Sequence, residues 1–109
     1  MNAFVSDPTP QVLNPLRQAL PFKEHWFLRD DDEAVLGLQA RLENGIVISV
    51  TWGRFAYARE ADDNSPLLVE LAAIGEDGEF LREDNGGEFV RGYQTVDEVV
   101  AAALALSRG

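Results

Sequence analysis

The chain contains no cysteine, a single histidine and few basic residues. Without cysteine there are no disulfides, no thiolate zinc sites and no cysteine nucleophile. No stretch approaches the roughly 18 apolar residues of a membrane span. The opening MNAFVSDPTP lacks the basic n-region and apolar h-region of an export signal. The expectation is a soluble, cytoplasmic protein.

What is present is acid. Of 109 residues, 19 are Asp or Glu against 9 Lys or Arg, for a formal charge of -10. Such a charge predicts repulsion from nucleic acid and from anionic membranes, and attraction to a basic protein surface. The acids fall between apolar stretches, at Asp30-Asp31-Asp32-Glu33, Glu60-Ala61-Asp62-Asp63, Glu76-Asp77 and Glu83-Asp84. With 46% hydrophobic and 26% charged residues, the composition is that of one globular domain.

Residues 1–21 are punctuated by Pro8, Pro10, Pro15 and Pro21 and read as a segment apart from a single α+β domain over 22–109. Asn14-Pro15 resembles an N-cap followed by proline at the first helical position, predicting a short helix over Pro15–Leu20. Lys23–Arg29 reads as a strand ended by the acidic run.

A hairpin follows. Leu36, Leu38, Ala40 and Leu42 alternate with smaller or polar residues, as do Ile46, Ile48, Val50 and Trp52 beyond Asn44-Gly45. A two-residue turn at Asn-Gly would set the two apolar faces on opposite sides of the pair. A three-residue turn, Glu43-Asn44-Gly45 with Gly45 left-handed, joins them by pairing Leu42 with Ile46, Ala40 with Ile48 and Leu38 with Val50. A slip of one residue flips every side chain, so the three-residue turn is expected.

After Trp52, a bulge at Gly53 would turn Phe55 and Tyr57 inward. Glu60–Pro66 reads as a polar loop, and Leu67–Ile74 as a strand with Val69, Leu71 and Ala73 on one face. Glu76-Asp77-Gly78 turns the chain into Glu79–Arg82, where either Phe80 or Leu81 could face inward. Asp84-Asn85-Gly86-Gly87 turns it into a short strand, Glu88–Gly92. Thr95-Val96-Asp97-Glu98 is a capping box that starts a helix, with Val96, Val99, Val100, Ala103 and Leu104 as its buried stripe. The fold class predicted is α+β: an antiparallel meander of five or six strands, one face covered by the C-terminal helix.

From Ile46 to Leu106 the chain resembles a group of small uncharacterised phage and prophage proteins. The likeness runs through Val50-Thr51-Trp52-Gly53 with Tyr57 and Arg59, and through Leu68-Val69-Glu70-Leu71-Ala72 and Asp77-Gly78-Glu79-Phe80. It ends in Gly92-Tyr93 and Thr95-Val96-Asp97-Glu98-Val99. The resemblance implies a phage or mobile-element origin and carries no catalytic residues.

Candidate sites are few. His25 has no serine and orienting group beside it in sequence, so it reads as a structural or surface histidine. The 30–33 run lacks the alternating ligands and central glycine of a calcium loop. Asp84–Gly87 lacks the Lys-Ser/Thr of a phosphate loop and is crowded by acids. The segment 52–59 differs, because it joins Trp52, Phe55 and Tyr57 to Arg54 and Arg59. Either its aromatics pack in the core while the arginines meet nearby acids, or it anchors a partner, since Trp, Tyr and Arg dominate interface hot spots.

The expected function is therefore a non-enzymatic, acidic protein-binding module without cofactor or metal. Its form would be a phage-encoded inhibitor, acting as a DNA mimic or like an anti-CRISPR protein on a basic, nucleic-acid-binding host factor. The expected contact residues are Asp30, Asp31, Asp32, Arg54, Phe55, Tyr57, Arg59, Asp62 and Asp63. The alternatives are a small structural component of a phage particle and, further off, a carboxylate-based hydrolase. Ala101, Ala102 and Ala105 along the back of the last helix would allow close packing of a second protomer.

Overall fold

In the computed structural model, residues 9–31, 35–52 and 67–108 are described. They form α1 (Thr9–Ala19), β1 (Phe22–Arg29), β2 (Val35–Leu42), β3 (Val47–Thr51), β4 (Val69–Ile74), β5 (Val90–Gln94) and α2 (Val96–Arg108). The strands make one antiparallel sheet in the order β1-β2-β3-β4-β5. The α+β architecture is as expected, with both helices contributing to a single core.

The β2–β3 pairing follows from the alternation of apolar residues. Leu38 lies opposite Val50 and Ala40 opposite Ile48. The Leu42 N–H donates to Ile46 O at 2.8 Å, and the Gly45 N–H to Leu42 O at 3.0 Å. Gly45 has φ +93, as the three-residue turn requires. Leu38, Ala40, Leu42, Ile48, Val50, Leu71 and Ala73 are fully buried on one face. Each large side chain so buried contributes about 1.5–3 kcal/mol.

The opposite face carries a polar row. Trp26 Nε1 donates to Gln39 Oε1 at 2.9 Å, and Gln39 Nε2 donates to Ser49 Oγ at 3.2 Å. Beside this row, Arg41 Nε donates to Glu24 Oε1 at 2.7 Å. Cross-strand pairs of this kind supply sheet stability in increments of about 0.2–1 kcal/mol.

The N-terminal helix differs from the expectation. It starts at Thr9, and Pro15 lies inside it rather than at its first position. Pro10 occupies the first turn, where a missing N–H costs nothing. Pro15 deprives the Gln11 carbonyl of its helical donor, but Gln11 is exposed and water can take that place. Val12, Leu13, Leu16 and Leu20 lie on one stripe and join the core, so burial overrides the local cap signal. The segment before Phe22 thus supplies part of the domain's core. The helix packs on α2 and reaches β2.

Between β4 and β5, Glu79–Arg82 does not become a sixth strand. It makes isolated bridges, Ile74 with Phe80 and Arg82 with Glu88. The Leu81 N–H donates to Ala73 O at 2.9 Å, and Leu81 packs against the core while Phe80 is 40% exposed. Of the two open possibilities, Leu81 is the inward residue. The last strand runs over Val90–Gln94, two residues beyond the expected Glu88–Gly92, because Arg82 and Glu88 are still closing the preceding turn.

The α2 cap is reciprocal. The Thr95 N–H donates to Glu98 Oε1 at 2.9 Å, and the Glu98 N–H to Thr95 Oγ1 at 3.2 Å. Val99, Ala102 and Ala103 are buried, with Val96, Val100 and Leu104 half-buried against the same core. Ala102 therefore faces inward, contrary to its assignment to the outer helix face. Only Ala101 and Ala105 of that stripe are exposed.

Candidate interaction surface

Few of the contact residues expected from the sequence lie within the described parts of the chain. Asp31 is exposed in the turn after β1, and Asp30 is half-buried beside it. Asp32, Arg54, Phe55, Tyr57, Arg59, Asp62 and Asp63, with the bulge expected at Gly53, lie outside the described residues. Trp52 is buried at 8% exposure, its Nε1 donating to Val35 O at 3.0 Å. His25 sits edge-on between the rings of Phe22 and Phe27, with centroids at 5.7 and 5.6 Å, and Arg17 Nη2 lies 3.4 Å from its Nε2. Those surroundings are aromatic packing.

The fold gathers acids that are distant in sequence. The β2–β3 turn and the turn after β4 lie side by side, with Gly45 packed against the Glu76 side chain. Glu43, Glu76 and Asp77 thus share one end of the sheet, with Glu79 following, and all four are exposed. Asp77 Oδ1 accepts from the Glu79 N–H at 3.0 Å, which shapes the turn. No Lys or Arg among the described residues forms an ion pair with these four carboxylates. By contrast, Glu24 and Glu83 are held by Arg41 and Arg91. Among the described acids only Asp30 and Glu83 are half-buried, and the rest face solvent.

A second feature lies at the opposite end of the sheet, where β4 meets β5. Val69 pairs with Gln94, but Leu71 pairs with Arg91, so Gly92 and Tyr93 together face Glu70 alone. This is a β-bulge. In unbroken register Tyr93 would stand opposite Val69, on the face that carries the core. The bulge gives that place to Gln94 and leaves Tyr93 86% exposed. Tyr93 also has φ +55, the only positive φ among the described non-glycine residues. A bulky side chain in the left-handed region costs about 1–2 kcal/mol.

The result is a groove of about 350 Å³ lined by Thr51, Trp52, Leu68, Val69, Glu70, Gly92 and Tyr93. Leu68 is 43% exposed at its wall. No described residue forms an ion pair or hydrogen bond with the Glu70 carboxylate. An aromatic ring, an unpaired carboxylate and an apolar wall therefore meet on one exposed surface. Sequence reasoning missed this site. Its one signal was Gly92 before Tyr93 within a strand, since glycine inside a strand often marks a bulge.

Among the described residues no group of three or more His, Asp or Glu side chains could hold a metal ion. No helix among them is long and apolar enough to cross a membrane. Comparison with known proteins gave no match to any family model, curated protein or solved structure.

Proposed function

We propose that the protein is a non-enzymatic acidic module that binds another protein through a basic surface. On the resemblance to small phage proteins, we propose further that it is a phage-encoded inhibitor of a nucleic-acid-binding host factor. The observation that carries this reading is the formal charge of -10 together with the exposed carboxylates of Glu43, Glu76, Asp77 and Glu79 drawn together at one end of the sheet. Carboxylates left without cationic neighbours create a negative field, which steers a basic partner and repels an acidic one. A nucleic-acid-binding surface is basic because it must neutralise phosphates, so the same surface suits an acidic inhibitor.

The test is capture of partners from a bacterial host lysate on the immobilised protein, followed by association kinetics with the purified partner. A basic partner is expected, with an association rate that falls as salt is raised from low to physiological ionic strength. Glu76→Gln combined with Asp77→Asn should slow association and flatten that salt dependence. An acidic partner, or a rate insensitive to salt, overturns the reading.

A further inference from the structure

We infer that the groove at the β5 bulge is the anchor point for an arginine side chain of the basic partner. The inference rests on the binding reading above and adds to it a site and a ligand chemistry.

The groove presents the complement of a guanidinium. Tyr93 offers an aromatic face projecting into solvent at 86% exposure. A guanidinium stacks on such a face through the ring quadrupole. Glu70, directly across the strand pair from the bulge, offers a carboxylate that no described residue engages. Carboxylates bind guanidinium through two parallel N–H···O bonds, a geometry that ammonium cannot reproduce. Leu68, 43% exposed, supplies an apolar wall for the aliphatic stem. Gly92 contributes no side chain, and a Cβ added there would meet nothing within 4 Å, so the approach beside Tyr93 is open.

The backbone supports a binding role for Tyr93 rather than a packing one. Continuing the register would have turned its ring to the core face. The chain instead adopts a bulge and a left-handed tyrosine, and thereby exposes the ring. Strained residues with exposed side chains concentrate at binding sites, because nothing in the free fold rewards them. The acidic turns at the other end of the sheet act at long range. The groove makes the short-range contact, and its loss should appear in complex lifetime.

The test titrates the full-length ¹⁵N-labelled protein with acetyl-triarginine amide, followed by NMR at low and physiological salt. Trilysine and tricitrulline peptides are the controls. The expected result is saturable shifts at the amides of Leu68, Glu70, Gly92 and Tyr93 and at the Tyr93 ring, with triarginine ahead of trilysine and tricitrulline silent. Tyr93→Ala and Glu70→Gln should each weaken triarginine by about two- to fivefold, while Tyr93→Phe should retain it. Tyr93→Gly separates function from structure, since glycine accepts a positive φ without strain. It should bind less while keeping or raising Tm.

A fall of several degrees in Tm for Tyr93→Gly would show that the ring serves the fold and would overturn the inference. So would salt-dependent shifts confined to the turns at 43–45 and 75–79 with a silent groove, although the acidic-module reading would survive that result. Groove shifts that appear with rising protein concentration and no peptide would assign the groove to a second copy, which also overturns it. Peptide that binds nowhere overturns both readings together.

Discussion

Gly45 packs so closely on Glu76 that a Cβ at position 45 would collide with the Glu76 side chain. The contact links the β2–β3 turn to the turn after β4, and Gly45 meets it at φ +93. Two costs should therefore be separable. Gly45→Ala is expected to lose about 1–3 kcal/mol, part from the left-handed backbone and part from the collision. Glu76→Ala alone should be nearly neutral. In the double variant the collision is relieved and only the backbone cost of about 1–2 kcal/mol should remain. Urea unfolding of the four proteins measures the coupling. Strict additivity would mean that the Glu76 side chain moves aside at no cost.

Core truncations test the faces of the sheet. Leu38, Leu42, Ile48, Val50, Leu71 and Val99 are fully buried. Replacing any of the leucines or Ile48 by alanine should cost about 2–5 kcal/mol, with the smaller valines toward the lower end. Losses under about 1 kcal/mol at most of these positions, measured by denaturant midpoint, would place the core elsewhere.

The α2 cap offers a test of reciprocity. Thr95→Ala should destabilise by about 0.5–2 kcal/mol. Glu98→Ala should cost less once Thr95 has been removed, because each side chain caps the other's backbone N–H. A double-mutant cycle showing no coupling would mean that water replaces the box without loss.

Arg91 tests a closer stack than that of Arg41, whose Cζ lies 5.8 Å from the Trp26 ring centroid and which also pairs with Glu24. The Arg91 Nε and Nη2 donate to Glu83 Oε1 at 3.2 and 2.6 Å, and its Cζ lies 4.3 Å from the Phe89 ring centroid. Arg91→Ala and Phe89→Leu should couple by about 0.5–1 kcal/mol in thermal unfolding. The Arg41–Glu24 pair, with Glu24 more than half exposed, should couple by at most about that much and fade in high salt. Absence of coupling between Arg91 and Phe89 at high salt would mean that the ring contributes nothing.

The sequence by itself determined the elements whose signals are local. Alternation of apolar residues with one glycine specified the β2–β3 register, since any other pairing splits the apolar face. Thr95 and Glu98 specified the start of α2, because both halves of that cap lie within four residues. The tertiary structure decided what depends on distant partners. Pro15 entered a helix because Val12, Leu13 and Leu16 had a core to bury against, a stabilisation that the Asn14-Pro15 signal does not register. Ala102 turned inward for the same reason, and Leu81 was chosen over Phe80 only when Ala73 O received its N–H. The acidic end and the Tyr93 groove were hidden most deeply. Glu43 and Glu76 become neighbours only once β3 and β4 pair, and Tyr93 is exposed only because β5 carries one residue more than β4 can match. Side-chain period is a property of one strand, whereas a bulge is a property of two.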